Sequence, residues 1–150
     1  MTLLELIKTI EAVASNQPSI KMVVENDIFR LNSLADAKYG VFAFVQQQHT
    51  TSPDTSVITY SFSLFYIDRL KNDKSNQIEI QSVGIQTLDN IIRALDDMGI
   101  YTEQTYSFQV FNERFLDECA GVFCNVALSA PVASVCAETF PNLNNNVIII

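Results

Sequence analysis

Leu3, Leu6, Ile7, Ile10 and Ala14 recur at spacings of three and four, which places them along one face of an α-helix. Thr2 and Glu5 form a capping-box pair ahead of this stripe, each side chain able to bond the other residue's backbone N–H. Asn16-Gln17-Pro18 ends the helix, because the residue before a proline avoids helical geometry.

Extended segments follow. Lys21–Glu25 and Asp27–Leu31 are short and separated by the turn-forming pair Asn26-Asp27. Tyr39-Gly40 leads into Val41–Val45, apolar on both faces and so expected as a strand covered on two sides. Gln46 to Ser56 is polar, contains Pro53 and reads as a loop. From Val57 to about Leu70 alternation is strict: Ile58, Tyr60, Phe62, Leu64 and Tyr66 share one face, and Val57, Thr59, Ser61 and Ser63 the other. Such a strand is roughly 45 Å long, more than a small domain needs, and a strand of that length often reaches toward a neighbour.

After the charged turn Lys71–Asn76, a second helical stripe runs through Ile80, Val83, Gly84, Thr87, Leu88, Ile91, Leu95 and Met98, predicting a helix from about Gln77 to Met98. Gly84 on that stripe costs about 1 kcal/mol relative to Ala, which points to close approach of helix and sheet. Gly99 is expected as a left-handed C-cap. A second extended region opens at Tyr101, with Tyr106, Phe108 and Val110 alternating; Asn112–Cys119 interrupts it and Gly121–Leu128 resumes, as two antiparallel strands.

From Ser129 onward, Pro131, Pro141 and Asn142–Asn146 do not suit a packed element, yet the chain closes on Val147-Ile148-Ile149-Ile150. Exposed in a monomer, this run would pair with any passing strand. The order of helix, strands, helix, strands predicts an α+β domain over residues 1–128, a mainly antiparallel sheet packed by two helices, with an extended C-terminal arm over 129–150.

Composition narrows the functional classes. At 150 residues and 48% hydrophobic the chain forms one domain with its own core, without metal or disulfide staples. Its net charge of −8 makes phosphate backbones and anionic lipid poor partners, and suits either solubility or a basic neighbour in an assembly. No run reaches the roughly 20 apolar residues that span a bilayer. Glu5 stands where a signal peptide carries basic residues, so that route of export is not expected. Cys119, Cys124 and Cys136 fit no zinc spacing and are expected as reduced, mostly buried thiols of a chain made in the cytosol.

Candidate chemistry is sparse. His49 is the single histidine and, in the polar stretch Gln46–Thr51, is expected as an exposed loop residue rather than a general base. The carboxylate pairs Asp96-Asp97 and Asp117-Glu118 read as solvated, the first at a helix end whose dipole disfavours anions. There is no phosphate-cradling glycine loop and no nucleophile elbow. No catalytic, cofactor-binding or metal-binding residue is assigned, no cofactor is expected, and the chain is not expected to be an enzyme. Asp68-Arg69 and Arg114 beside Phe115 set charge next to aromatics, as surface pairs or as an interface patch.

Asp27-Ile28-Phe29-Arg30-Leu31-Asn32-Ser33, Tyr39-Gly40-Val41-Phe42-Ala43, the strand ending Phe65–Leu70 with the helix Ser82–Leu95 after it, and Asn112–Gly121 occur in the order of similar segments in neck and tail-completion proteins of tailed bacteriophages, the crAss-like group among them. The resemblance covers about residues 1–128 and departs at Gly40, where a proline is expected after the tyrosine, and in the apolar tail. It implies a tail-terminator-like fold and a head–tail connector in the virion neck. Such proteins form rings of six or twelve subunits that join portal to tail, contact other neck, portal or tail proteins and let DNA pass through the lumen without sequence-specific binding. The implied interface residues are Tyr66, Asp68, Arg69, Arg114, Phe115, Val147, Ile148, Ile149 and Ile150, the last four adding a strand to a neighbouring sheet. The alternative is an interaction or regulatory module of a bacterium or mobile element, with an ordered ligand pocket.

Overall fold

The computed structural model describes residues 1–27, 38–54, 57–102, 105–114, 118–131 and 142–150, the side chains of Glu113, Arg114 and Pro131 excepted. Asp27 is in no strand, and the rest of the strand expected over Asp27–Leu31 lies outside the described residues, as do Phe115, Asp117 and Cys136.

The capping box forms as its spacing dictates. The Thr2 N–H donates to Glu5 Oε2 at 2.6 Å and the Glu5 N–H to Thr2 Oγ1 at 3.2 Å, opening α1, Leu3–Ser15. The second helix, α2 (Gln77–Asp97), ends in a Schellman closure: the Gly99 N–H donates to Asp96 O, the Ile100 N–H to Leu95 O, and Gly99 takes φ +83°. The strands are β1 (Met22–Glu25), β2 (Val41–Thr51), β3 (Val57–Arg69), β4 (Tyr101–Thr102), β5 (Gln109–Arg114), β6 (Cys119–Pro131) and β7 (Ile148–Ile149).

One sheet of seven strands results, in the order β4-β6-β3-β2-β1-β7, with β5 also on β6. Its backbone is the β3–β6 pair, thirteen residues long on each side and in unbroken antiparallel register from Val57↔Pro131 to Arg69↔Cys119. The sheet is mixed: the expected antiparallel pairing holds among β2, β3, β4, β5 and β6, whereas β1 runs parallel to β2, and β7 parallel to β1. A parallel neighbour needs a connection that carries the chain back to its starting end, and both Glu25–Val41 and Pro131–Ile148 are long enough to do so. β6 runs on through Ser129–Pro131.

Both helices lie on one face. Leu6 and Ile10 of α1 and Leu88, Ile91 and Leu95 of α2 meet Phe42, Phe44, Phe62, Leu64, Val122 and Leu128 in the main core, each fully buried. Burying side chains of this size stabilises by about 1.5–3 kcal/mol each. The opposite face carries a second cluster of Met22, Val24, Val41, Ala43, Ile67 and Phe111, so the apolar-on-both-faces pattern of Val41–Val45 corresponds to burial on both sides.

The segment expected as a loop from Gln46 is strand as far as Thr51. β3 is long enough to offer it backbone partners out to Ile58, and those hydrogen bonds outweigh its polar composition. A bulge makes the extension possible: from Gln46↔Phe62 to His49↔Tyr60, β2 advances three residues while β3 advances two. The extra residue reverses the alternation and turns His49 onto the helix side. Its ring centroid lies 5.2 Å from that of Tyr60 and 5.7 Å from that of Phe62. The expectation of an exposed loop histidine is therefore corrected: His49 is a half-buried strand residue.

Candidate functional site

Tyr66, near the end of β3, is the most constrained of the residues singled out from sequence. Three of the chain's four glycines pack against it. A Cβ on Gly84 of α2 would sit 2.9 Å from Tyr66 Cδ1 and 3.0 Å from Val122 Cγ2, so the close helix–sheet approach expected there is present. A Cβ on Gly40 would strike Ser19 O and stand 3.0 Å from the Tyr66 hydroxyl, and one on Gly121 would strike Tyr66 O. Gly84 and Gly40 thus close on the side chain of Tyr66 and Gly121 on its backbone, with 2% of the residue exposed. Its hydroxyl donates to Asp68 Oδ2 at 3.3 Å, and burial followed by the Asp68 charge raises the phenol well above its ordinary pKa.

Around that hydroxyl opens a cleft of about 460 Å³ built from five stretches of chain. Lys21 comes from the turn before β1, Gly40 precedes β2, Asp68 is next to the last residue of β3, Asn76 closes the turn after it, and Glu79 is in the first turn of α2. Asn76 holds this mouth in shape, accepting from the Lys71 N–H at 2.9 Å and donating to Arg69 O at 3.1 Å. Asp68 Oδ1 takes the Arg69 N–H at 2.8 Å.

The register places two of the other candidates together. The backbones of Arg69 and Arg114 both pair with Cys119, one from β3 and one from β5, so the two positions flank one residue of β6. Val147–Ile150 lies at the far edge of the sheet, where the run pairs with a strand of its own chain. Val147 is buried in the main core, Ile148 and Ile149 pair with Met22 and Val23, and Ile150 packs on the second cluster. The Ile150 N–H donates to Val23 O and the Glu25 N–H to Ile150 O, both at 3.1 Å. A backbone strand covers the edge of β1 because that edge otherwise leaves its amides and carbonyls unpaired.

Several residues that hold this edge went unnoticed in the sequence. Asn144 Nδ2 donates to Ser15 O at 3.2 Å, the Asn144 N–H to Ser15 Oγ at 3.3 Å, and Asn16 Nδ2 to Asn142 O at 2.8 Å, clasping the arm to the C-terminal end of α1. The asparagine run that looked unsuited to packing supplies these caps. Glu11 of α1 also meets Glu25 of β1, side chain to side chain: burial and then the hydrogen bond with Glu25 push the Glu11 carboxyl up to about 7. More than a hundred residues separate Ser15 from Asn144, and no local pattern signals such a contact.

Residues with catalytic potential are dispersed. His49 Nε2 lies 3.2 Å from Gln46 Oε1, and its Nδ1 is buried with no hydrogen-bond partner. Asp96, Asp97 and Glu118 are exposed, and Cys119 and Cys124 are buried, the Cys124 thiol pushed up to about 12 by desolvation. Among the described residues no three His, Cys, Asp or Glu side chains group to hold a metal ion, and no helix is long and apolar enough to cross a membrane. No family model matches the chain, and no curated protein matches its sequence.

Proposed function

We propose that this chain is a non-catalytic structural subunit that assembles with copies of itself, and that the assembly is a ring at the neck of a tailed bacteriophage, a head–tail connector of tail-terminator type. The observation that carries the reading is a sheet with two different edges. One is formed by β4 and β5, both paired with β6, with Val110 of β5 56% exposed; the other is the two-residue β7, with Ile148 38% exposed. Unlike edges on opposite sides of a subunit suit a heterologous, head-to-tail contact, which closes into a ring when the rotation permits. A net charge of −8 suits a lumen through which DNA slides without being held.

Negative-stain imaging of the purified protein, alone and with the products of neighbouring genes, tests this. Rings with a hole of about duplex width are expected, and deletion of Asn142–Ile150 is expected to lower their number. A monomer in both conditions overturns the reading. The Tyr66–Asp68 cleft favours a second one, a regulatory module with a small polar ligand; a persistent monomer whose Tyr66 and Lys21 resonances shift on ligand addition would establish it instead.

A further inference from the structure

The arm that closes the β1 edge is joined to the sheet at few points. β7 contributes two paired residues, and its clasp consists of side-chain and backbone bonds from exposed or half-exposed asparagines. Among the described residues of the arm Val147 is the buried side chain, with Ile149 and Ile150 packed in part against the two clusters. Regions with so few buried contacts open at a small fraction of the global unfolding free energy.

The arm also starts far from where it ends. Pro131 pairs with Val57 at one end of β3, whereas Ile148 lies in the row that runs through Met22, Val41 and Ile67 near the other end. Ten residues along a strand and four strand spacings separate these points by roughly 35–40 Å. Fully extended, the chain from Pro131 to Ile148 reaches roughly 55 Å. The chain therefore has slack of roughly 15–20 Å beyond the distance it spans in cis, room for the same segment to be offered to an adjoining copy. The donated segment and the slot are the same in cis and in trans. Exchange therefore regains every contact it breaks, and the remaining difference is the effective concentration of the neighbour.

Resting on the assembly reading above, we infer that the β1 edge is an exchangeable strand slot, filled within the ring by residues 142–150 of a second copy of this chain. Each subunit then donates an arm to one neighbour and receives one from the other, which supplies the two unlike surfaces of a head-to-tail ring. The buried Val147 anchors the donated strand, the Val23 and Glu25 backbones hold it, and the Ser15 and Asn16 caps set its register.

The register makes a direct test. Val23 faces Ile149, so one preparation carries Val23→Cys and the other Ile149→Cys, each with Cys136→Ser, and the two are unfolded together, refolded, assembled and oxidised. Circular dichroism checks that each variant folds; Met22→Cys with Ile148→Cys is the second pair if one does not. Exchange predicts a disulfide between the two different chains in imaged rings, approaching about half of the Val23→Cys chains in an equimolar mixture. Rings without that cross-link overturn the exchange and leave the assembly reading standing. Monomers with neither rings nor cross-links overturn both.

Discussion

Tyr66 and Gly84 touch so closely that a methyl group on the glycine would lie 2.9 Å from the tyrosine Cδ1, with Val122 Cγ2 behind it at 3.0 Å. The contact sets the distance between α2 and the sheet. It also explains why a residue that weakens a helix stands in the middle of one.

Gly84→Ala therefore tests whether packing or helix propensity dominates. The substitution gains about 1 kcal/mol of propensity, but overpacking a well-filled core costs about 1–3 kcal/mol. A net destabilisation of roughly 1 kcal/mol is expected by chemical denaturation. An increase in stability would show that ring and helix separate at little cost.

Asn144→Ala removes the donor to Ser15 O and the acceptor of the Asn146 N–H. A loss of about 1 kcal/mol is expected, expressed locally. Hydrogen exchange at the Glu25 and Ile150 amides, which close the β1–β7 edge, is expected to quicken, while amides of β3 and β6 keep their protection. Uniform quickening across the sheet would contradict a local clasp.

Glu11 gives a pH dependence with a definite sign. Its carboxyl is raised from 4.5 to about 7 in the folded chain, so the native state holds a proton that the unfolded state has released. Stability from this group is full below about 4.5 and is lost as pH rises through about 7. Glu11→Gln keeps a hydrogen bond to Glu25 without the charge. It is expected to raise the melting temperature at pH 8 by about 1–3 °C and to flatten its fall between pH 4.5 and 7. An unchanged slope would place the proton elsewhere.

His49→Phe keeps the ring against Tyr60 and Phe62, removes the buried Nδ1 that has no partner, and gives up the part-buried contact of Nε2 with Gln46 Oε1. Deleting an unsatisfied polar atom in favour of an apolar ring of similar shape is close to neutral or stabilising. Denaturation is expected to show a change within about 1 kcal/mol, and ring assembly is expected to persist. A loss of more than about 2 kcal/mol would show that the Nε2 contact with Gln46 Oε1 holds the bulged end of β2.

Both helices, the Thr2–Glu5 and Gly99 caps, the long strand β3 and the Gly121–Leu128 part of β6 were legible because each is decided within a few residues of chain, whereas the run of β6 on through Ser129–Pro131 was not. The Thr2–Glu5 box, the Gly99 closure and the alternation from Ile58 to Tyr66 are short-range relations that hold wherever the segment is placed. The antiparallel pairing of β5 with β6 was legible too, but not the bounds of β5: Tyr106 and Phe108, expected in the strand, lie before it, and Asn112–Arg114, expected as its interruption, lie within it. Of the candidate site, Tyr66, Asp68 and Arg69 stood out as charge beside aromatic residues, but the cleft around them did not, since it is assembled from five separate stretches.

What the chain determines alone, then, is which segments are helix or strand and which face of each is apolar, because period and capping are local. Tertiary structure decided the rest. Gln46–Thr51 is strand because β3 offers partners, and His49 faces the helices because a bulge shifts the alternation by one residue. Val147–Ile150 lies against β1 because that strand leaves an edge to fill, and Glu11 holds a proton because it is partly buried and Glu25 lies against it. These outcomes depend on the hydrogen bonds, burial and charge of residues distant in sequence, and those contacts exist only once the sheet has formed.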